Sequence, residues 1–329
     1  MIKRKIKFHT TKLLILAVLL VSMSCKKGKE EKNISTEDIA VVEIPKIKLS
    51  LAQWSFHKAI RDDKTMPVYD FAKEAKSLGF EGVEYVSQLY KLEKGNEQAS
   101  LDSIVEQLKI HSKANDIENV LIMIDHEGDL SVNDKAARDE AIRRHKMWVD
   151  AAAKLGCTSV RVNLFGGEAE KDAAQWHANS VDGLGRLAAY AATKKINVIV
   201  ENHGGRSSEA DKLVAVLKEI NYKNCGALPD FGNFCYARDN GERWGGECTG
   251  QYDIYKGVAE LMPYAKGVSA KSFDFDENGN ETTIDFMKMM KIIKDSGFEG
   301  FIGVEYEGNT LGEKEGIMAT KKLLESVIN

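Results

Sequence analysis

Three acidic residues, far apart along the chain, have the chemistry to hold a cation together. Glu201, Asp230 and Glu305 each follow a short apolar run, in the stretches IVENH, LPDFG and GVEYEG. Buried carboxylates that face one another repel unless protons or a cation intervene. Their hard oxygen atoms suit Mn or Mg, and His203 as a further ligand would shift the preference towards Mn, Co or Zn. We therefore predict a divalent metal on Glu201, Asp230, Glu305 and His203.

A cation at this place would assist the removal of a proton next to a carbonyl, because negative charge then develops on the carbonyl oxygen. Lys271, in the run VSAKSF, would support the same oxygen with its ammonium group. The alternative interpretation is a metal-free cluster of salt bridges, in which Arg161 and Lys271 neutralise the three carboxylates.

The elements that position these residues are predicted to be eight repeats of a strand followed by a helix. Short β-branched or apolar runs alternate with helical patterns along the chain, which is typical of parallel βα units. This pattern predicts an α/β fold, a single-domain (β/α)8 TIM barrel, with its site at the carboxyl ends of the strands. A doubly wound sheet is the alternative, but no GxGxxG loop follows the first strand. The predicted strands span 47–54, 82–86, 119–124, 159–165, 197–202, 225–230, 267–273 and 301–306.

The first 45 residues have the layout of an export signal and a linker. Residues 1–25 combine a basic start, an apolar run and small residues that end in Cys25. They are predicted to be a lipoprotein signal peptide cleaved before a lipidated Cys25, with an ordinary secretory signal as the alternative. Residues 26–45 are predicted to be a flexible tether and residues 46–329 the barrel. The protein is thus expected to be anchored to a bacterial membrane, outside the cytoplasm, by the lipid at Cys25 alone. In an oxidising compartment Cys235 and Cys248 could pair.

The charge balance argues against a nucleic-acid partner. The chain has 46 Lys and Arg against 50 Asp and Glu, which gives a formal net charge of −4. A protein that neutralises many phosphates would carry a basic surface instead. The predicted partner is a small molecule, and a homo-oligomer stays open.

The motifs IVENHGG, LPDFGNF, VSAKSFDFDENG and GVEYEG resemble the xylose-isomerase-like barrel superfamily of sugar isomerases and epimerases. The resemblance covers essentially the whole chain after residue 45. It implies that Glu201, Asp230 and Glu305 are metal ligands, and that the two glutamates also act as acid and base. The sequence departs from the family at two expected histidines. The Ser269–Lys271 stretch replaces the histidine of the seventh strand, and Asn233 replaces the one after Asp230.

The resemblance also implies a sugar ligand for the other polar residues at the strand ends. Trp54 and Phe231 would offer apolar faces, and Gln53 would bind hydroxyls. Lys271 and His203 are predicted to share the catalytic work with Glu201 and Glu305. The predicted substrate-binding residues are Trp54, His57, Glu84, Arg161, Asn163, Asn202 and Asn233, and Glu84 is also a reserve base.

The predicted function is a metal-dependent isomerase or epimerase that acts on a non-phosphorylated keto-sugar through an enolate-type intermediate. A lyase or hydratase acting on a 3-keto-sugar or glycoside would use the same site. A non-catalytic carbohydrate-binding lipoprotein is the alternative of another class. An endonuclease with a histidine-rich three-zinc site is disfavoured, because the chain has only seven histidines and a net acidic charge.

Overall fold

A computed structural model of the protein describes residues 47–328. The predicted signal peptide and tether, including Cys25, lie outside these residues. Eight parallel strands form one sheet in the order β6-β5-β4-β3-β2-β1-β10-β9. These strands are β1 (Ile47–Ala52), β2 (Gly82–Val86), β3 (Glu118–Met123), β4 (Ser159–Val162), β5 (Asn197–Glu201), β6 (Cys225–Leu228), β9 (Val268–Ser272) and β10 (Gly300–Tyr306).

Helices connect the strands and cover the outside of the barrel. Asp134 and Asp172 begin two of them as N-caps, and each accepts hydrogen bonds from two backbone N–H groups of the first turn. The helices are α1 (Phe71–Ser77), α2 (Glu97–Ala114), α3 (Lys135–Leu155), α4 (Ala173–Thr193), α5 (Ala210–Ile220), α6 (Ile254–Leu261), α7 (Phe286–Asp295) and α8 (Glu313–Ile328). Within residues 47–328, no helix is both long and apolar enough to cross a bilayer.

The sheet closes into a barrel beside the acidic residues. The eight-stranded ladder ends at β6 and β9, and an isolated parallel bridge between Asp230 and Ser269 joins these two edges. There the Phe231 N–H donates to the Ser269 carbonyl at 3.1 Å, and the Ser269 N–H donates to the Pro229 carbonyl at 2.9 Å. The predicted TIM barrel is confirmed, and every predicted strand corresponds to an observed one.

Several observed elements differ from the predicted ones. The fourth strand ends at Val162, three residues before its predicted end. The first strand ends at Ala52, because residues 53–56 turn into a 3-10 helix. The sixth ends at Leu228, before Pro229, which has no N–H to donate to a ladder. An antiparallel hairpin of β7 (Cys235–Arg238) and β8 (Cys248–Gln251) follows β6 and was not predicted. A disulfide between Cys235 and Cys248 joins its two strands.

Candidate functional site

A cavity of about 390 Å³ opens at the carboxyl ends of the barrel strands. Its volume lies in the range of small-molecule sites. Six of the residues that the sequence singled out line it: Trp54, Arg161, His203, Asn233, Lys271 and Glu305. Arg61, Asp125, Phe165, Trp244 and Glu307 line it as well, and no site prediction had included them.

The three acidic residues meet beside this cavity, and Glu305 is the one of them that lines it. One oxygen atom from each of Glu201, Asp230 and Glu305 lies within 4.8 Å of the others. All three side chains are buried. This spacing allows the three carboxylates to bind a common ion, and among the described residues this is the one group of His, Cys, Asp and Glu side chains so placed.

Hydrogen bonds from the loop after β6 and from β9 hold two of the three carboxylates. The Asn233 amide donates to Glu201 Oε1 at 3.0 Å. The backbone N–H groups of Gly232 and Asn233 each donate to Asp230 Oδ1 at 2.8 Å. Ser269 Oγ donates to Asp230 Oδ2 at 2.6 Å. Ser269 and Asn233, at the two places where the resemblance implies histidines, therefore position the acidic residues.

Two permanent cations lie among the carboxylates. Lys271 Nζ is 3.2 Å from Glu305 Oε1 and 3.4 Å from Glu307 Oε2. Burial lowers the pKa of Lys271, but the four carboxylates around it outweigh burial and raise this pKa well above its usual range. Lys271 is therefore charged.

Arg161 is the second cation, and its guanidinium joins two acidic residues. Its Nη1 is 2.7 Å from Asp125 Oδ1. Its Nε is 2.8 Å from Glu201 Oε2, but the N–H does not point at that oxygen, so both atoms stay without a hydrogen-bond partner. This oxygen of Glu201 therefore has the charge of Arg161 beside it but accepts no hydrogen bond.

Negative charge exceeds positive charge in this cluster. Five carboxylates, those of Asp125, Glu201, Asp230, Glu305 and Glu307, surround the two cations. Burial raises the pKa of Glu305 to about 8, although the charge of Lys271 opposes it. Burial likewise raises the pKa of Asp230 to about 6 and that of Glu201 above its ordinary value. The cluster therefore holds protons near neutral pH, or a further cation in their place.

His203 lies outside the cluster, although it was predicted as a ligand and a catalytic residue. Its Nδ1 is 2.8 Å from Asn163 Oδ1, and the Asn163 amide group donates to Asp125 Oδ1 at 2.7 Å. Because a carboxylate only accepts, the Asn163 oxygen faces the histidine, and we assign the proton of the ring to Nδ1. Burial and the nearby cations lower the pKa of His203 to about 3. The ring is neutral, with a bare Nε2 as hydrogen-bond acceptor.

Four predicted substrate-binding residues do not line the cavity. His57 stacks on Trp54 with ring centroids 4.4 Å apart. Asn202 is fully buried and exchanges hydrogen bonds with the backbone of Asp230. Asn163 orients His203, and Glu84 is 1% exposed, with Ser50 Oγ donating to it at 2.6 Å. These side chains support the cavity wall.

Gln53 and Phe231 are also too deep to touch a ligand. Both side chains are fully buried. The Gln53 amide hydrogen-bonds to the Tyr90 hydroxyl at 2.9 Å. Phe231 packs edge-on against Phe286 with centroids 5.4 Å apart. They therefore belong to the core.

Comparison with known proteins adds a family and a set of relatives. Residues 72–326 match the family described as xylose isomerase-like TIM barrel. The C-glycoside deglycosidase alpha subunit of Arthrobacter globiformis is 36% identical over 66 residues, which are 19% of this chain and 19% of that subunit.

Several solved structures share the fold at low identity. D-psicose 3-epimerase, solved in the presence of D-fructose, has a TM-score of 0.62 at 14% identity, covering 85% of this chain and 99% of that one. The 3-keto-D-glucoside 4-epimerase of E. coli has a TM-score of 0.60 at 13% identity, covering 86% and 99%. A similar barrel from Mycobacterium smegmatis, in complex with magnesium, has a TM-score of 0.59 at 17% identity, covering 85% and 96%.

Proposed function

We propose, from the premise that the chain belongs to the xylose isomerase-like TIM-barrel family, that it is a divalent-metal-dependent isomerase or epimerase of a non-phosphorylated keto-sugar. The observation that carries this proposal is the meeting of Glu201, Asp230 and Glu305 within 4.8 Å, beside a cavity that Glu305 lines. Sugar epimerases among the similar folds support it.

The donor set fits a hard divalent cation. Glu201, Asp230 and Glu305 would hold the ion, and Glu201 Oε2, which accepts no hydrogen bond, would be one of the ligand oxygens. The excess of carboxylates over cations favours a further positive charge, and an all-oxygen set favours Mg or Mn over Co or Zn. When bound, such an ion would polarise the substrate carbonyl.

The proton transfers are assigned to the two glutamates. Glu305 lines the cavity beside Lys271, at 3.2 Å, and can therefore reach a bound substrate. Glu201 lies across the cluster and would serve as its counterpart. Lys271 stays charged and would donate a hydrogen bond to the substrate oxygen on which negative charge develops.

The cavity suits an uncharged sugar better than a phosphorylated one. Arg161 and Lys271, two of its cationic side chains, are already engaged with carboxylates. Asn233, the neutral His203 and the aromatic rim would bind hydroxyl groups and C–H faces. The export signal predicted in residues 1–25 agrees with an uncharged sugar. It would place the protein at a membrane outside the cytoplasm, whereas phosphorylated sugars are metabolites of the cytoplasm.

A lyase or hydratase acting on a 3-keto-glycoside is the second candidate. The short match to a C-glycoside deglycosidase subunit and the fold of a 3-keto-glucoside epimerase favour it. The same proton abstraction would start this reaction, and the intermediate would then expel the β-oxygen substituent instead of being reprotonated. A carbohydrate-binding protein without catalysis would show neither outcome.

Solvent exchange tests the proposal directly. The metal-loaded protein is incubated in heavy water with a panel of free and 3-keto sugars, and deuterium at the carbon beside the carbonyl is measured by NMR. Glu305→Gln should lower the exchange rate by about 10² to 10⁴. Glu277→Gln, an exposed change in the loop after β9, should leave it unchanged. Full exchange in the Glu305 variant would refute the mechanism, and no exchange with any sugar would favour simple binding.

A further inference from the structure

The hairpin β7–β8 follows β6, and its tip is attached to the loop after β4. A disulfide joins the two strands of the hairpin. Arg243, near the hairpin tip, contacts the loop after β4. The Arg243 guanidinium donates to Glu170 Oε2 at 2.5 Å and to the Phe165 carbonyl at 3.1 Å. It also lies 4.4 Å from the centre of the Phe165 ring. The hairpin tip is thus held in place without contributing to the barrel core.

Trp244, the next residue, forms part of the cavity wall. Its ring centroid is 4.8 Å from that of His203, and 46% of its surface is exposed. The other tryptophan of the wall, Trp54, is covered: His57 stacks on it at 4.4 Å, and the Arg61 guanidinium lies 5.2 Å from its ring. Trp244 therefore offers the more open aromatic surface at the cavity mouth.

Trp244 lines the same cavity as Glu305 and Lys271, and its ring contacts His203 rather than an acidic residue of the cluster. Glu201 contacts Arg161, Arg161 contacts Asp125, and Asn163 then links Asp125 to His203. The Trp244 ring packs against the far side of this sequence of contacts, at the ring of His203. A sugar ring bound at Glu305 and Lys271 would leave Trp244 to contact whatever is attached to that sugar.

We propose that Trp244 forms a second subsite, which binds the ring of an aglycone or of a further sugar, so that the substrates are glycosides rather than free monosaccharides. The proposal rests on the proposed function for the orientation of the reacting sugar. The C–H face of a sugar or an aromatic ring would pack on the indole, and the fixed hairpin reduces the entropy lost on binding.

Binding measurements with two unreactive probes test this subsite. Phenyl and methyl glucosides, as both anomers, are titrated into the metal-loaded protein by calorimetry. They differ in the presence of a ring on the aglycone. We take the anomer of phenyl glucoside that binds more tightly and compare it with the methyl glucoside of the same anomer. Wild type should bind the phenyl glucoside about tenfold more tightly, a ratio typical of one aromatic ring that packs on another and is buried there. Trp244→Ala should bring the ratio to about one while methyl glucoside affinity stays within about twofold of wild type.

Tyr236→Ala is the matched control. Tyr236 belongs to the same hairpin and is 44% exposed, but it lines a separate groove at the barrel rim. It should keep the wild-type ratio, and Trp244→Phe should keep part of it. A wild-type protein that binds neither glucoside, or both equally, would overturn the proposal. So would an unchanged ratio in Trp244→Ala.

The outcome is separable from that of the exchange experiment, because these titrations need no turnover. A phenyl preference that depends on Trp244, without solvent exchange, would support the subsite and refute the proposed reaction. Solvent exchange without a preference for the phenyl glucoside would support the proposed reaction and refute the subsite.

Discussion

Glu84 should make the protein less stable as the pH rises through neutrality. This residue lies beneath the acidic cluster, on β2, and is 1% exposed. One of its oxygens accepts a hydrogen bond from Ser50, and the other has no partner. Burial, together with the charge of Glu201, raises the pKa of Glu84 from its ordinary 4.5 to about 7, against the effect of Ser50 and Arg161. Glu84 is therefore a neutral acid in the folded protein below that pH.

The size of the effect follows from this difference in pKa. The folded state binds the proton more tightly than the unfolded chain does, so the stabilisation is complete below pH 4.5. It is lost as the pH rises through about 7. At about 1.4 kcal/mol per pH unit, the loss between these values amounts to about 3 kcal/mol.

Glu84→Gln removes the titration while keeping the shape of the side chain. We expect the free energy of unfolding of the variant, relative to wild type, to increase by about 3 kcal/mol between pH 4.5 and pH 8. Any fixed cost of an unpaired amide N–H is the same at every pH and cancels in this comparison. The free energies are measured by urea unfolding in the presence of a chelator.

Glu106→Gln, an exposed change on α2, is the control and should show a difference from wild type that does not vary with pH. Parallel curves for wild type and Glu84→Gln would show that Glu84 ionises in the folded state as it does in the unfolded chain. The account of the buried charge would then be wrong.

Two further predictions concern the same part of the barrel. Mg or Mn added to the chelator-treated protein should raise its melting temperature, because a ligand at a hundredfold excess over Kd stabilises the folded state by about 2.7 kcal/mol. In a thermal scan Asp230→Asn should largely lose this shift, whereas Glu277→Gln should keep it. Gly303→Ala would place a methyl group 2.4 Å from Glu84 Oε1, and should cost about 1–3 kcal/mol in urea unfolding. Adding Glu84→Ala should recover part of that loss, and an unchanged stability in the single variant would contradict the packing argument.

The barrel was predictable because its strands are buried on both faces. Such strands are short β-branched runs, and the helices between them end at glycines such as Gly156, which has a φ of +87°. The same regularity places Glu201, Asp230 and Glu305 at the carboxyl ends of their strands. Their meeting follows from barrel geometry alone.

The roles of single side chains were less predictable, because a strand end does not determine depth. Glu84 and Glu305 both lie on strands and were both candidates for ligand contact, but Glu84 faces Ser50 and Gly303 below the cluster. His203 follows Glu201 by two residues, yet its ring turns to Asn163. The side-chain alternation of a strand does not continue into the loop that follows it. One feature of the sequence could have drawn attention to Trp244 as a site residue: it lies in a glycine-rich stretch between two cysteines.

The closure of the barrel explains how the three carboxylates keep their spacing without the expected histidine on the seventh strand. Ser269 stands on β9, where its backbone pairs with that of Asp230 and its hydroxyl donates to Asp230 Oδ2. Ser269 is thus a hydrogen-bond donor that fixes one acidic residue, while Lys271, two residues later on the same strand, holds Glu305. Neither group contacts Glu201 Oε2 by a hydrogen bond. The strand therefore supplies the positioning that a histidine ligand would provide, and leaves the charge of the cluster to be balanced by an ion or by protons.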